Sequence, residues 1–118
     1  MKFLKLLWIP VALLVVFAMM SLKSAGHARV SSEEAHRLVQ SGARLVDVRA
    51  SFEYAGGHLP GAINVPVQHL RDHLQELEPK DKPIIVYCHS GSRSQMAYDE
   101  LKTAGFTVLY DLGPMSAW

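Results

Sequence analysis

Five consecutive residues, Ile84-Ile85-Val86-Tyr87-Cys88, are apolar at every position, and Ser90-Gly91-Ser92 follows almost at once. A strand without a polar face is covered on both sides, which places it inside a parallel sheet. Parallel neighbours are reached through crossovers, usually helical, so the rest of the chain has to alternate strand with helix. The sequence meets that demand. Ser31-Ser32-Glu33-Glu34 supplies an N-cap serine and first-turn acids for a helix with Ala35, Leu38 and Val39 on its inner side, ended by Gly42. Leu45 to Val48 reads as a strand, Ser51 to Tyr54 as one helical turn before Gly56-Gly57, and Ala62 to Val65 as another short strand. Val67, Leu70, Leu74 and Leu77 recur at spacings of three and four and predict a weak helix over 66–78. After the central strand a helix is expected to about Ala104, with Met96, Ala97, Leu101 and Ala104 as its inner stripe and Gly105 in the left-handed position beyond it. Thr107 to Tyr110 is the last expected strand. The fold class is α/β, a small, mainly parallel sheet flanked by helices.

The first 28 residues have a composition of their own. Lys2 and Lys5 precede fifteen uncharged, apolar residues from Leu6 to Met20, and small and polar residues follow up to Gly26-His27-Ala28. This is the order of a secretory signal cut before Arg29, and the run is shorter than the roughly 20 residues of a spanning helix. An uncleaved anchor over residues 3–21 is the alternative. Either way the domain at 29–118 is expected outside the cytoplasm, periplasmic or extracytoplasmic, meeting a membrane only through that segment. One domain fits the length that remains. The formal charge of +1 becomes −2 without Lys2, Lys5 and Lys23, nine basic against eleven acidic residues, which excludes the basic footprint of a nucleic-acid binder.

Cys88 is the single cysteine, so an exported chain would carry it as a free thiol in an oxidising compartment. Free cysteines are most often small buried hydrophobes. Position argues for more: Cys88 ends the central strand where a glycine-containing loop enters a helix, and open α/β sheets bind ligands at that end. Unpaired N–H groups of such a loop, with the positive end of the helix, favour thiolate over thiol and cradle an anion. Arg93 adds a fixed charge at the far end of the loop. Cys88 is therefore the expected nucleophile, with His89, Ser90, Gly91, Ser92 and Arg93 as the binding loop.

These residues resemble the rhodanese family. Cys88-His89-Ser90-Gly91-Ser92-Arg93 is similar to its six-residue active-site loop, Leu45 to Arg49 to its first central strand, Phe52 to Asn64 to its glutamate-glycine-histidine segment, and Gly113 to Trp118 to its glycine-to-tryptophan ending. The resemblance runs from about Ser31 to Trp118 and implies a rhodanese-like fold. It also implies a sulfurtransferase that needs no cofactor and forms a persulfide on Cys88. The sulfane sulfur would come from a small anionic donor, thiosulfate or a related compound, and go to cyanide or a thiol. Asp47, Arg49, Glu53 and His58 are implied to support the surrounding loops without touching the sulfur. His89 departs from the arginine often found there in thiosulfate-using members, and Pro114 from a common second glycine.

Two other functions stay open on the sequence. One is a non-catalytic sulfur-carrier or binding module. The other is a cysteine-dependent phosphatase or arsenate reductase; phosphatases with this fold resemble cysteine, five residues, then arginine, where this chain has only the four from His89 to Ser92. The six histidines show no metal-ligand pattern, since His69 and His73, four apart, lie on the weak helix near acids, and no metal is expected. Trp118 is expected to plug the core.

Overall fold

The structure is a computed structural model that describes residues 26–118; most of the expected signal or anchor lies outside the described residues. The elements are α1 (Ser32–Gln40), β1 (Arg44–Asp47), α2 (Ser51–Ala55), β2 (Ile63–Asn64), a 3-10 segment (Val67–Leu77), β3 (Ile84–Cys88), α3 (Ser92–Thr103), β4 (Leu109–Pro114) and a closing 3-10 turn (Met115–Ala117). The four strands lie in the order β2-β1-β3-β4, and every pairing is parallel. This is the α/β sheet expected from the sequence, with β3 interior and buried at all five positions.

Side chains alternate along β3 and so divide the core between the two faces of the sheet. Ile84, Val86 and Cys88 pack with Leu70, Leu77, Ala97 and Leu101 on the face covered by α3, whereas Ile85 and Tyr87 pack with Ala35, Leu45 and Leu112 on the face covered by α1. Cys88 thus points toward α3, the helix that its own loop starts. Ser31 caps α1 by accepting from the Glu34 N–H at 3.2 Å, a contact worth about 1 kcal/mol in helices generally.

Three local expectations shift. The segment after Pro66 is 3-10 and not α-helical, with a break at His73 (φ −121°, ψ 15°). Three-residue spacing brings Val67 over Leu70 and Leu74 over Leu77 when side chains i and i+3 eclipse, and the break resets the phase between the two pairs. In α3 the buried side chains are Ser94, Ala97, Tyr98 and Leu101, while Met96 is 60% exposed. The inward stripe therefore runs through Ser94 and Tyr98, and Met96 lies off it. The last strand starts at Leu109 and continues to Pro114, past the Tyr110 limit expected from its apolar run.

The chain just before α1 belongs to this extension. Arg29 bridges Asp111 in parallel, the Val30 N–H donates to the Asp111 carbonyl at 3.1 Å, and the Asp111 N–H donates to the Ala28 carbonyl at 2.9 Å. His27 Nε2 lies 2.6 Å from Asp111 Oδ2, and the Tyr98 hydroxyl accepts from the Ala28 N–H and donates to the Gly26 carbonyl, both at 3.1 Å. Gly26-His27-Ala28, the expected cleavage tripeptide, is thus in contact with β4 and α3. Among the described residues no helix is long and apolar enough to cross a membrane.

Candidate functional site

Cys88 is the last residue of β3 and its side chain is fully buried. Its sulfur nevertheless has a polar neighbour: the Gly91 N–H donates to Sγ at 3.0 Å. Between them His89 and Ser90 are exposed, so the loop arches over the sulfur with its side chains turned to solvent. The arch needs glycine at its end. Gly91 has φ +105°, in the left-handed region that side chains disfavour, and a Cβ there would also stand 3.6 Å from the Pro114 ring. From Gly91 the chain enters α3, where the Gln95 N–H and the Ser94 hydroxyl both donate to the Gly91 carbonyl, at 3.2 and 3.0 Å. The result is a sulfur beneath a loop of backbone amides at a helix start, the arrangement that receives anionic groups.

The far end of the loop is tied to α2. Arg93 Nη1 donates to Glu53 Oε1 at 2.6 Å and Nη2 to Oε2 at 3.1 Å, a two-point pair whose members are each about three-quarters buried. Glu53 Oε1 also accepts from the Ala50 N–H at 3.2 Å, closing the first turn of α2. The hydrogen bond from Arg93, more than any other contact, holds the Glu53 carboxyl at about 2, well below its ordinary 4.5. The same bond pushes Arg93 above its ordinary value, with a smaller contribution from Cys88.

Behind α2 lies a second pair. Asp47 is fully buried and accepts the single Nε–H of Arg49, shared between its two carboxylate oxygens at 3.0 Å each, an Nη2 N–H at 2.7 Å and the Arg49 backbone N–H at 2.9 Å. Arg49 Nη2 also donates to the Gly57 carbonyl at 2.7 Å, and Asn64 Nδ2 donates to the carbonyls of both Asp47 and Arg49. These bonds join the end of β1 to the Gly56-Gly57 bend and to β2. His58 is exposed, stacked on the Tyr54 ring at 3.8 Å with Nδ1 3.0 Å from the Tyr54 carbonyl.

The structure therefore joins Cys88, His89, Ser90, Gly91, Ser92, Arg93 and Glu53 into one unit. Asp47 and Arg49 stand behind it, and His58 is fixed to α2 by stacking. Reasoning from the sequence assigned Arg93 to a bound anion and Glu53 to a turn, and did not join them. The one available signal was an acid at the third position of α2, where it reaches back to Ala50. Tyr87 was also passed over as a core residue: its hydroxyl accepts from the Leu59 N–H at 3.1 Å, and burial raises it far above the ordinary tyrosine range. A hydroxyl inside an otherwise apolar strand was the clue. Trp118 packs against the core on the α1 face of the sheet but closes it only in part: it is half-buried and stacked on His36 at 3.7 Å.

A sequence model described as the Rhodanese-like domain matches residues 31–118. The thiosulfate sulfurtransferase GlpE of Pseudomonas fluorescens is 36% identical over 91 residues, which cover 76% of this chain and 83% of that one. The chloroplastic thiosulfate sulfurtransferase 16 of Arabidopsis thaliana is 40% identical over 101 residues, covering 75% and 84%. Among solved structures, the human single-domain sulfurtransferase TSTD1 superposes with a TM-score of 0.68 at 31% identity, over 79% of this chain and 93% of that one.

Proposed function

The chain belongs to the rhodanese-like family, and on that premise we propose that it is a sulfurtransferase in which Cys88 carries the transferred sulfur. The observation that supports this most directly is the Gly91 N–H aimed at Cys88 Sγ beneath an exposed loop. The Cys88 thiolate attacks the outer sulfur of a donor such as thiosulfate. A bond forms between Sγ and that sulfur, the donor's S–S bond breaks, and sulfite leaves with the electron pair. Cyanide or a thiolate acceptor then takes the outer sulfur and returns Cys88 to thiolate. Two easy displacements replace one transfer, so turnover is ping-pong. The loop amides from His89 to Arg93 stabilise the charge on the outer sulfur, the kind of help worth about 3 kcal/mol per donor in acyl-transfer enzymes. Phosphoryl transfer is the poorer reading, because the loop is one residue shorter than in such phosphatases and Arg93 is already engaged by Glu53. The order of charged, apolar and small residues over 1–28 supports delivery of the domain out of the cytoplasm, which sequencing the amino terminus of the cellular protein and locating it by fractionation would test.

The test of the chemistry is intact mass after incubation with thiosulfate and no acceptor. The wild type is expected to gain one sulfur atom and Cys88→Ser none, with turnover lost altogether. A wild type that stays unmodified by every sulfane donor and hydrolyses a phosphate ester would overturn the proposal.

A further inference from the structure

Four charged side chains gather beside the Cys88 loop, and they cancel in pairs. Asp47 is matched by Arg49 and Glu53 by Arg93. The guanidinium that the loop sequence offers to an anion is met at two points by a carboxylate on the neighbouring helix, at 2.6 and 3.1 Å. A two-point pair of this kind uses the directional donors of the guanidinium as well as its charge. What the loop itself then offers a donor is its backbone N–H dipoles and the exposed His89 ring, while the Arg29 guanidinium lies outside the loop, against Gly113 of β4. Backbone dipoles suit a single negative charge on the sulfur being transferred. A donor with a second full charge on its leaving part would meet no counter-ion from either pair.

We infer that Glu53 is a specificity-determining, positioning residue: by occupying Arg93 it withholds the loop's guanidinium charge from the donor, and so selects sulfane donors whose leaving group bears at most one negative charge over doubly charged thiosulfate. Persulfides of thiols belong to this class. The Cys88 thiolate takes their outer sulfur, the bond to the scaffold sulfur breaks, and that sulfur departs as a thiolate with the electron pair. Glu53 touches neither donor nor sulfur and acts through Arg93. Its carboxylate stays ionised wherever the enzyme works, since the Arg93 hydrogen bond holds it at about 2. The inference rests on the sulfurtransferase reading and adds the donor class to it.

A near-isosteric pair of donors tests charge alone: thiosulfate, which leaves as sulfite, and methanethiosulfonate, which leaves as singly charged methanesulfinate. The wild type is expected to use methanethiosulfonate with the higher kcat/KM. Glu53→Gln keeps the acceptor for Ala50 and frees the Arg93 charge, so it should raise the thiosulfate-to-methanethiosulfonate ratio about tenfold, mainly through a lower KM for thiosulfate and more strongly at low salt. Glu53→Gln with Arg93→Gln removes both charges and should return the ratio to the wild-type value even if both rates fall. A role confined to bracing the loop would lower both donors equally in Glu53→Gln and leave the ratio unmoved, and that outcome overturns the inference. Failure of the sulfurtransferase reading looks different: no mass gain on Cys88 from either donor, in any variant.

Discussion

Asp47 at the end of β1 and Asp111 inside β4 are both fully buried, and each accepts a hydrogen bond from the backbone N–H two residues further on, Arg49 at 2.9 Å and Gly113 at 2.8 Å. They differ in what balances the charge. Asp47 is answered by Arg49, two residues along the same turn, a group that is always ionised. Asp111 is answered by His27, 84 residues away in sequence, a ring that is charged only when protonated and is one-quarter exposed. The first pair is complete as soon as β1 and its turn form. The second exists only while the chain before α1 lies along β4. Local pairing makes the site's support independent of the termini, whereas long-range pairing makes the last strand depend on the segment just before α1.

Breaking the local pair should have the larger effect. Arg49→Met leaves Asp47 buried without its counter-ion and also withdraws the donor from Gly57, so unfolding in denaturant should show a loss of about 3–5 kcal/mol. Adding Asp47→Asn should recover most of that loss, because a neutral side chain can still accept from the Arg49 N–H. A single variant that unfolds like the wild type would remove the first half of the comparison.

Shortening the chain attacks the second pair. A protein beginning at Arg29 loses the His27 contact to Asp111, the carbonyl that receives the Asp111 N–H and the bonds to Tyr98, all present in one beginning at Gly26. Water replaces some of these partners, so the expected cost is about 2–3 kcal/mol, read as the difference in denaturant unfolding. Asp111→Asn should shrink that difference by easing the buried charge that His27 answers. If the two lengths melt together, the contacts of Gly26 to Ala28 contribute nothing and the chain before Arg29 is dispensable.

The same contrast decides what could be read from the sequence. β3, Cys88 and the loop were legible because burial on both faces, a glycine at a turn and a helix start all have local signatures, and Asp47 and Arg49 were expected as loop supports, though not as partners of each other. β4 was cut short at Tyr110 because Asp111, Gly113 and Pro114 are poor strand formers taken singly. What allows them is distant. His27 satisfies Asp111, and Gly113 takes φ +81° beside a register shift in β3–β4 pairing. Glu53 and Arg93, 40 residues apart, each had a sensible local role, and nothing local announces that they meet. Met96 was misplaced for another reason. Hydrophobicity alone set the phase of the α3 stripe, while the chain buries Ser94 and Tyr98, whose hydroxyls bond to backbone carbonyls.

The smallest effect should come from the third pair, Glu53 with Arg93, which is neither as buried as Asp47 with Arg49 nor as remote as Asp111 from His27. Arg93 holds the Glu53 carboxyl at about 2 in the folded chain against an ordinary 4.5, so the folded state binds this proton more weakly than the unfolded state does. The stabilisation from the pair is therefore fully present above about pH 4.5, declines as pH falls below it, and is gone once pH has passed through about 2. Partial exposure and screening keep it modest. Thermal melting of the wild type and Glu53→Gln across that range isolates the contribution, since the other carboxylates titrate in both proteins. The gap in Tm between them should be constant from neutral pH to about 5 and should close toward pH 2. A gap that has already closed at pH 4 would mean that Arg93 does not hold Glu53 ionised, leaving the Cys88 loop without the link to α2 that sets it apart from the two buried pairs.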